Sequence, residues 1–223
     1  MRCPARDPVA LLHTHTSGAK LARAAQGYFA YNHLMAAKRA LLVIDVQNEY
    51  FTGKMPVTYP EGSLANILRA VDAADATGVP VVVIQHAAPQ PDSAVFLKGS
   101  AGWELHPEIA SRAHVAVIHK SLPGSFTDTE LETVLRSRGI DTVAICGYMT
   151  QMCCDTTSRQ AVHLGFQVEF LSDATGTLEF SNSAGSISAK DLHTAVLVVQ
   201  QSRFAKVMTA AEWVSCLAQA AAR

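Results

Sequence analysis

Ala40-Leu41-Leu42-Val43-Ile44-Asp45-Val46-Gln47 is the stretch that decides how this chain reads. Residues 40–46 are apolar throughout except for Asp45. A short run of this kind reads as a strand buried on both faces of a sheet. A carboxylate at its end is costly to bury unless it is partnered. Asp45 therefore either caps the following turn or belongs to a site.

Downstream, helical and strand patterns alternate. Residues 62–76 place Leu64, Ile67, Leu68, Val71 and Ala74 on one helical face, and Gly78 follows as a stop signal. Residues 80–85, 114–119, 142–146, 167–171 and 204–207 read as five further strands. Helices are expected at 127–138, 151–164, 188–201 and 210–222, the first capped by Thr127 or Asp128. Strands separated by helices imply an α/β fold of three layers, with a parallel sheet covered on both faces. Ligands of such sheets sit outside the carboxyl ends of the strands.

Bulk properties narrow the function classes. At 223 residues and 49% hydrophobic, the chain suits one well-packed domain. A net charge of -1 leaves no basic stripe for nucleic acid. No apolar run approaches the roughly 20 residues of a membrane span. Five cysteines, with no CxxC pair, suit free thiols in a reducing compartment, so a cytoplasmic location is expected. No GxGxxG follows the first strand, which disfavours a dinucleotide enzyme. Residues 1–39 differ from the rest, with Arg2, Arg6, Lys20, Arg23, Lys38 and Arg39 against a single acid, Asp7. They resemble a transit peptide only weakly, since serine is scarce. They read as an N-terminal extension, with Met35 as an alternative start, ahead of a domain at 40–223.

Three residues at strand ends carry chemistry. Asp45 closes the first strand, Lys120 the third, and Cys153 follows the fourth in the first turn of a helix. A lysine there would keep a buried Asp45 ionised. A helix N-terminus favours thiolate over thiol, which predicts a lowered pKa at Cys153. Cys154 lies about 100° round the helix and is expected to face the sheet. An acid, a cation and a sulfur on one sheet edge can run covalent hydrolysis.

These residues resemble the isochorismatase-like cysteine hydrolases. The resemblance starts at Leu41 to Phe51 and continues at His119-Lys120 and Gly124-Ser125-Phe126. It is strongest from Gly139 through Gly147, Thr150, Cys153, Thr157 and Ala161 to Gly165 and Asp173-Ala174. It implies six strands in order 3-2-1-4-5-6 and a triad of Asp45, Lys120 and Cys153. It also implies a non-proline cis peptide before Thr150, at Met149–Thr150, and an oxyanion hole from the N–H groups of Thr150 and Cys153. Self-association as a dimer or tetramer follows by the same analogy.

Two departures bear on activity. The family's nicotinamidases carry a metal-binding Asp-x-His after the second strand, whereas this chain reads Ile84-Gln85-His86-Ala87-Ala88. No metal, no cofactor and no nicotinamidase activity are therefore expected. True isochorismatases cleave a vinyl ether without a nucleophilic cysteine, so Cys153 favours C–N hydrolysis of a small amide, ureide or lactam. Gln47, Phe51, His86, Trp103, Tyr148 and Gln151 are the expected pocket walls, and Asp173 is expected to be structural. The competing readings are a non-catalytic binding protein of the same fold and an ether hydrolase.

Overall fold

A computed structural model describes residues 37–221 of the chain. The expected N-terminal extension lies, as far as residue 36, outside the described residues. The described residues fall in one compact unit.

The run that opens the domain is strand β1, Arg39–Ile44, and all of it beyond Arg39 is buried. Its alternating side chains feed two separate cores. Leu41 and Val43 point to one face, and Ala40, Leu42 and Ile44 to the other. Strand β1 pairs in parallel with β2 (Val81–His86) on one side and β4 (Thr142–Tyr148) on the other. Strand β3 (Ala116–Lys120) adds beyond β2, and β5 (Gln167–Gly176) beyond β4. A short hairpin, β6 (Phe180–Asn182) and β7 (Gly185–Ile187), stands apart from this sheet. The sixth sheet strand is therefore β8, Lys206–Met208, and the order is β3-β2-β1-β4-β5-β8. That is the expected 3-2-1-4-5-6 arrangement with a hairpin inserted before its last strand. The hairpin's residues showed no hairpin turn motif in the sequence.

Helix α1, Ser63–Ala76, lays Ile67, Ala70, Val71 and Ala74 on one face of the sheet. A four-residue turn, α2 (Pro107–Ala110), precedes β3. On the opposite face sit α3 (Leu131–Ser137) and α4 (Asp155–His163). Helix α5, Ala189–Val199, is capped by the Ser188 hydroxyl, which accepts from Asp191 N at 3.1 Å. Helix α6, Ala210–Ala221, returns to the first face through Trp213 and Leu217. Asp173 caps it, its Oδ1 accepting from Ala210 N at 2.7 Å, which is the structural role expected of it.

Some helix boundaries differ from expectation. The third helix starts at Leu131 rather than at Thr127 or Asp128, and Asp128 has a positive φ of 55° that no helix tolerates. Residues 150–154 form a π turn before α4 rather than a first α-helical turn.

Glu169 on β5 ties the far side together. It accepts from Arg39 through Nε and Nη2, and from Trp213 Nε1 at 2.7 Å. The charge is thus held by both strand β1 and helix α6.

Candidate active site

The sheet geometry brings the three strand-end residues to one place. The chain leaves β1 at Asp45 with φ 50°, a left-handed conformation that aspartate tolerates better than most residues. Its backbone is fixed there by Asp45 N donating to Ile84 O at 3.0 Å and Gln47 N donating to Asp45 O at 2.8 Å. Opposite Ile44 in the β4 register is Gly147, at φ 113°. A Cβ at that glycine would lie 2.0 Å from the Ile44 carbonyl oxygen. The close approach of β4 to β1, which directs the nucleophile loop over Asp45, thus demands glycine.

Lys120 closes β3 and pairs in register with His86 of β2. Its Nζ lies 2.8 Å from Asp45 Oδ2, 3.1 Å from Leu122 O and 3.2 Å from Cys153 Sγ. These partners account for the ammonium's three donors. Neither side chain of the Asp45–Lys120 pair is exposed. Burial alone would lower the lysine pKa, but Asp45 and then Cys153 outweigh it, and the net shift is upward. Lys120 stays charged.

The loop after Lys120 is fastened to the helix beneath the nucleophile. Ser125 N donates to Thr157 Oγ1 at 3.1 Å, and the two hydroxyls are 2.8 Å apart. Phe126 N donates to Gln160 Oε1 at 3.3 Å. This explains why the Gly124-Ser125-Phe126 motif accompanies Thr157 in the sequence.

Cys153 is 7% exposed, in the π turn after β4. The thiol is pushed up to about 12, first by burial and then by the facing Asp45 charge, with Lys120 pulling the other way. The lowered pKa expected from the helix terminus is therefore corrected. Desolvation and a buried carboxylate dominate, and the resting sulfur is a thiol. Because Sγ already accepts from Lys120, its own proton is free to face Asp45. Cys154 packs entirely within the core beneath the sheet, as its helical angle implied. The non-proline cis bond is Tyr148–Met149, one residue earlier than expected, directly at the end of β4.

The six expected pocket residues divide. Gln47 is fully buried, and its amide is committed to backbone. Its Nε2 donates to His86 O at 2.9 Å and to Trp103 O at 2.6 Å, and its Oε1 accepts from His86 N at 2.9 Å. It clamps the ends of β1 and β2 to the Trp103 loop, and both of its amide N–H donors are used in doing so. Tyr148 is likewise a core residue, its hydroxyl 3.0 Å from Ser63 Oγ and its ring edge-on to Tyr50 and Phe51. Phe51 is half-buried and rests on His106.

The other three keep buried polar atoms without a hydrogen-bond partner among the described residues. These are His86 Nδ1, Trp103 Nε1 and Gln151 Oε1, while the Asp45 carboxylate is met by Lys120 and faced by the Cys153 thiol. Such atoms are costly unless a ligand or water meets them. Burial, then Lys120, lowers the His86 pKa, so this ring is neutral near pH 7. Trp103 stacks on His119 of the edge strand. Among the described residues no group of three or more His, Cys, Asp or Glu side chains is placed to hold a metal ion, and no helix is long and apolar enough to cross a membrane.

A three-layer sheet with a buried carboxylate, ammonium and thiol meeting at its carboxyl edge defines a hydrolase of the cysteine type. A family model described as the isochorismatase domain matches residues 39–212, and the chain belongs to that family. It is 33% identical over 171 residues to the isochorismatase family protein YddQ of Bacillus subtilis, covering 76% of this chain and 95% of YddQ. A solved structure from Burkholderia xenovorans, assigned to the isochorismatases, shares 50% identity with a TM-score of 0.81, covering 83% of this chain and 90% of that one. The ureidoacrylate amidohydrolase RutB of Variovorax paradoxus is 27% identical over 179 residues, covering 65% of this chain and 71% of RutB.

Sequence reasoning missed His193, which is buried and lies 2.9 Å from the Thr150 hydroxyl. A single histidine on an amphipathic helix carries no spacing signal that would have found it.

Proposed function

We propose that the chain hydrolyses a C–N bond of a small amide, ureide or lactam through a thioester on Cys153. The observation that carries this reading is the Lys120 ammonium, which spans Asp45 Oδ2 at 2.8 Å and Cys153 Sγ at 3.2 Å. A thiol pushed up to about 12 is a weak nucleophile at neutral pH and needs a base at the moment of attack. Asp45, ion-paired with Lys120, is that base. As Sγ bonds to the carbonyl carbon, the thiol proton passes to Asp45. The tetrahedral oxyanion is met by the backbone N–H groups of Thr150 and Cys153, each such donor being worth roughly 2.7–4 kcal/mol. Asp45 then gives its proton to the leaving nitrogen as the C–N bond breaks. Water, deprotonated by the same carboxylate, cleaves the thioester and restores the thiol.

The substrate is small, because Asp45, Lys120 and Cys153 are all buried. It is polar, because His86 Nδ1, Trp103 Nε1 and Gln151 Oε1 lack partners. The name of RutB, an amidohydrolase, supports the C–N reading over ether cleavage.

The test is hydrolysis of a panel of small amides, ureides, lactams and nicotinamide, read as product mass, with a vinyl ether as comparator. Turnover of a C–N substrate that Cys153→Ala abolishes is expected. Full activity in that variant, or cleavage of the ether alone, rules the scheme out.

A further inference from the structure

Thr150, three residues before the nucleophile, is held by a histidine from a distant helix. His193 of α5 is 3% exposed and contacts two groups. Its Nε2 lies 2.9 Å from Ser172 O, and its Nδ1 lies 2.9 Å from Thr150 Oγ1. A carbonyl only accepts, so Nε2 carries the proton. Burial lowers the ring's pKa, so it is neutral near pH 7 and Nδ1 is an acceptor. The Thr150 hydroxyl must then be the donor, and its rotor is fixed. The ring is pinned from its other side as well. Ser172 itself donates through Oγ to Met208 O at 3.2 Å, and the Tyr59 ring meets the imidazole edge-on at 5.4 Å. One imidazole thus ties β5 and α5 to the first residue of the turn that holds Cys153.

We propose that His193 is a positioning residue for acylation of Cys153, acting through Thr150. In its Nε2–H tautomer it accepts the Thr150 hydroxyl and fixes the turn whose N–H groups face the oxyanion. This rests on the cysteine-hydrolase reading above, and it concerns a side chain that touches neither the thiol nor the substrate. Displacing such a turn by a fraction of an ångström slows the chemical step without weakening binding.

The test uses acylation of the intact protein by p-nitrophenyl acetate, an activated ester whose reaction does not depend on knowing the natural amide. Cys153→Ala defines the background. Thr150→Val and His193→Gln remove the hydrogen bond, and each is expected to slow acylation roughly ten- to hundredfold, with half-saturation changing less than about threefold. Thr150→Ser keeps the hydroxyl. His193→Asn places its Oδ1 where Nδ1 was. The His193→Asn variant is expected to retain a rate within about threefold of wild type, and Thr150→Ser to acylate faster than Thr150→Val. The double variant Thr150→Val/His193→Gln should be no slower than either single change.

Nitrogen NMR of the wild-type imidazole supplies a readout free of activity. It should show protonated Nε2 and bare Nδ1, with the Nδ1 signal moving in Thr150→Val. An Nδ1–H tautomer, additive losses, rates within twofold of wild type in His193→Gln, or a wild-type protein that the ester does not acylate would each overturn the proposal. Absence of hydrolysis across the amide panel, with these effects intact, would instead overturn the C–N assignment alone.

Discussion

Replacing Asp45 by Asn should make Cys153 more reactive towards alkylation while destroying turnover. The Cys153 thiol is pushed up to about 12. At about pH 8 a thiol of that pKa is ionised in roughly one molecule in ten thousand. Burial is the largest cause and remains in the variant, but the next cause, the Asp45 charge, is removed. The opposing pull of Lys120, 3.2 Å from the sulfur, is retained. A fall of about two units raises the thiolate population about a hundredfold. Nucleophilicity declines as pKa falls, with a Brønsted slope of about 0.4–0.5, so the observed gain is roughly tenfold. Iodoacetamide alkylation followed by intact mass measures it directly, and the side chain's slight exposure affects both proteins alike. In the same preparation hydrolysis should fall by about 10²–10⁴, the usual contribution of a positioned general base. An alkylation rate that is unchanged or lower in Asp45→Asn would refute the claim that the facing carboxylate adds to the site's dryness in holding the proton on sulfur.

Three further outcomes follow from the packing. Gly147→Ala sets a methyl against the Ile44 carbonyl at a positive φ and should cost more than about 3 kcal/mol in urea denaturation. A melt indistinguishable from wild type would contradict the close β1–β4 approach. Trp213→Phe removes the 2.7 Å donor to Glu169 and part of a fully buried ring, and should cost about 2–3 kcal/mol. An unchanged Tm would show that this network does not hold α6. His86 and His193 both have pKa values lowered by burial. The unfolded chain therefore binds protons near pH 6.5 that the folded one refuses. Their contribution is full above that pH and is lost as pH falls through the folded values. Stability should drop as pH falls below about 7, and less steeply in a His193→Asn variant, as read by urea melts. Equal slopes would refute the assignment.

Much of this architecture was legible because its signals are local. An apolar run broken by one carboxylate marks a strand that ends in a site, and glycines after helical stretches mark the turns. The meeting of Asp45, Lys120 and Cys153 was legible because each closes or follows a strand, and a parallel sheet collects such ends on one edge. The rest depends on contacts between segments far apart in sequence. The β6–β7 hairpin has strands of three residues each, too short to show an alternating pattern. The commitment of Gln47 to His86 and Trp103, and of Tyr148 to Ser63, is decided by where those partners fold. The Cys153 pKa was misjudged for the same reason. A helix terminus is visible in sequence, but the burial and the facing carboxylate that outweigh it are tertiary. His193 reaches Thr150 across 43 positions, a separation no motif spans.

The most direct measurement is intact-mass spectrometry of the protein quenched during turnover of a small amide. An acyl adduct located on Cys153, absent from Cys153→Ala and discharged faster when hydroxylamine competes with the deacylating water, is the predicted result. Steady turnover in which Cys153 remains unmodified at every time point would contradict a thioester mechanism.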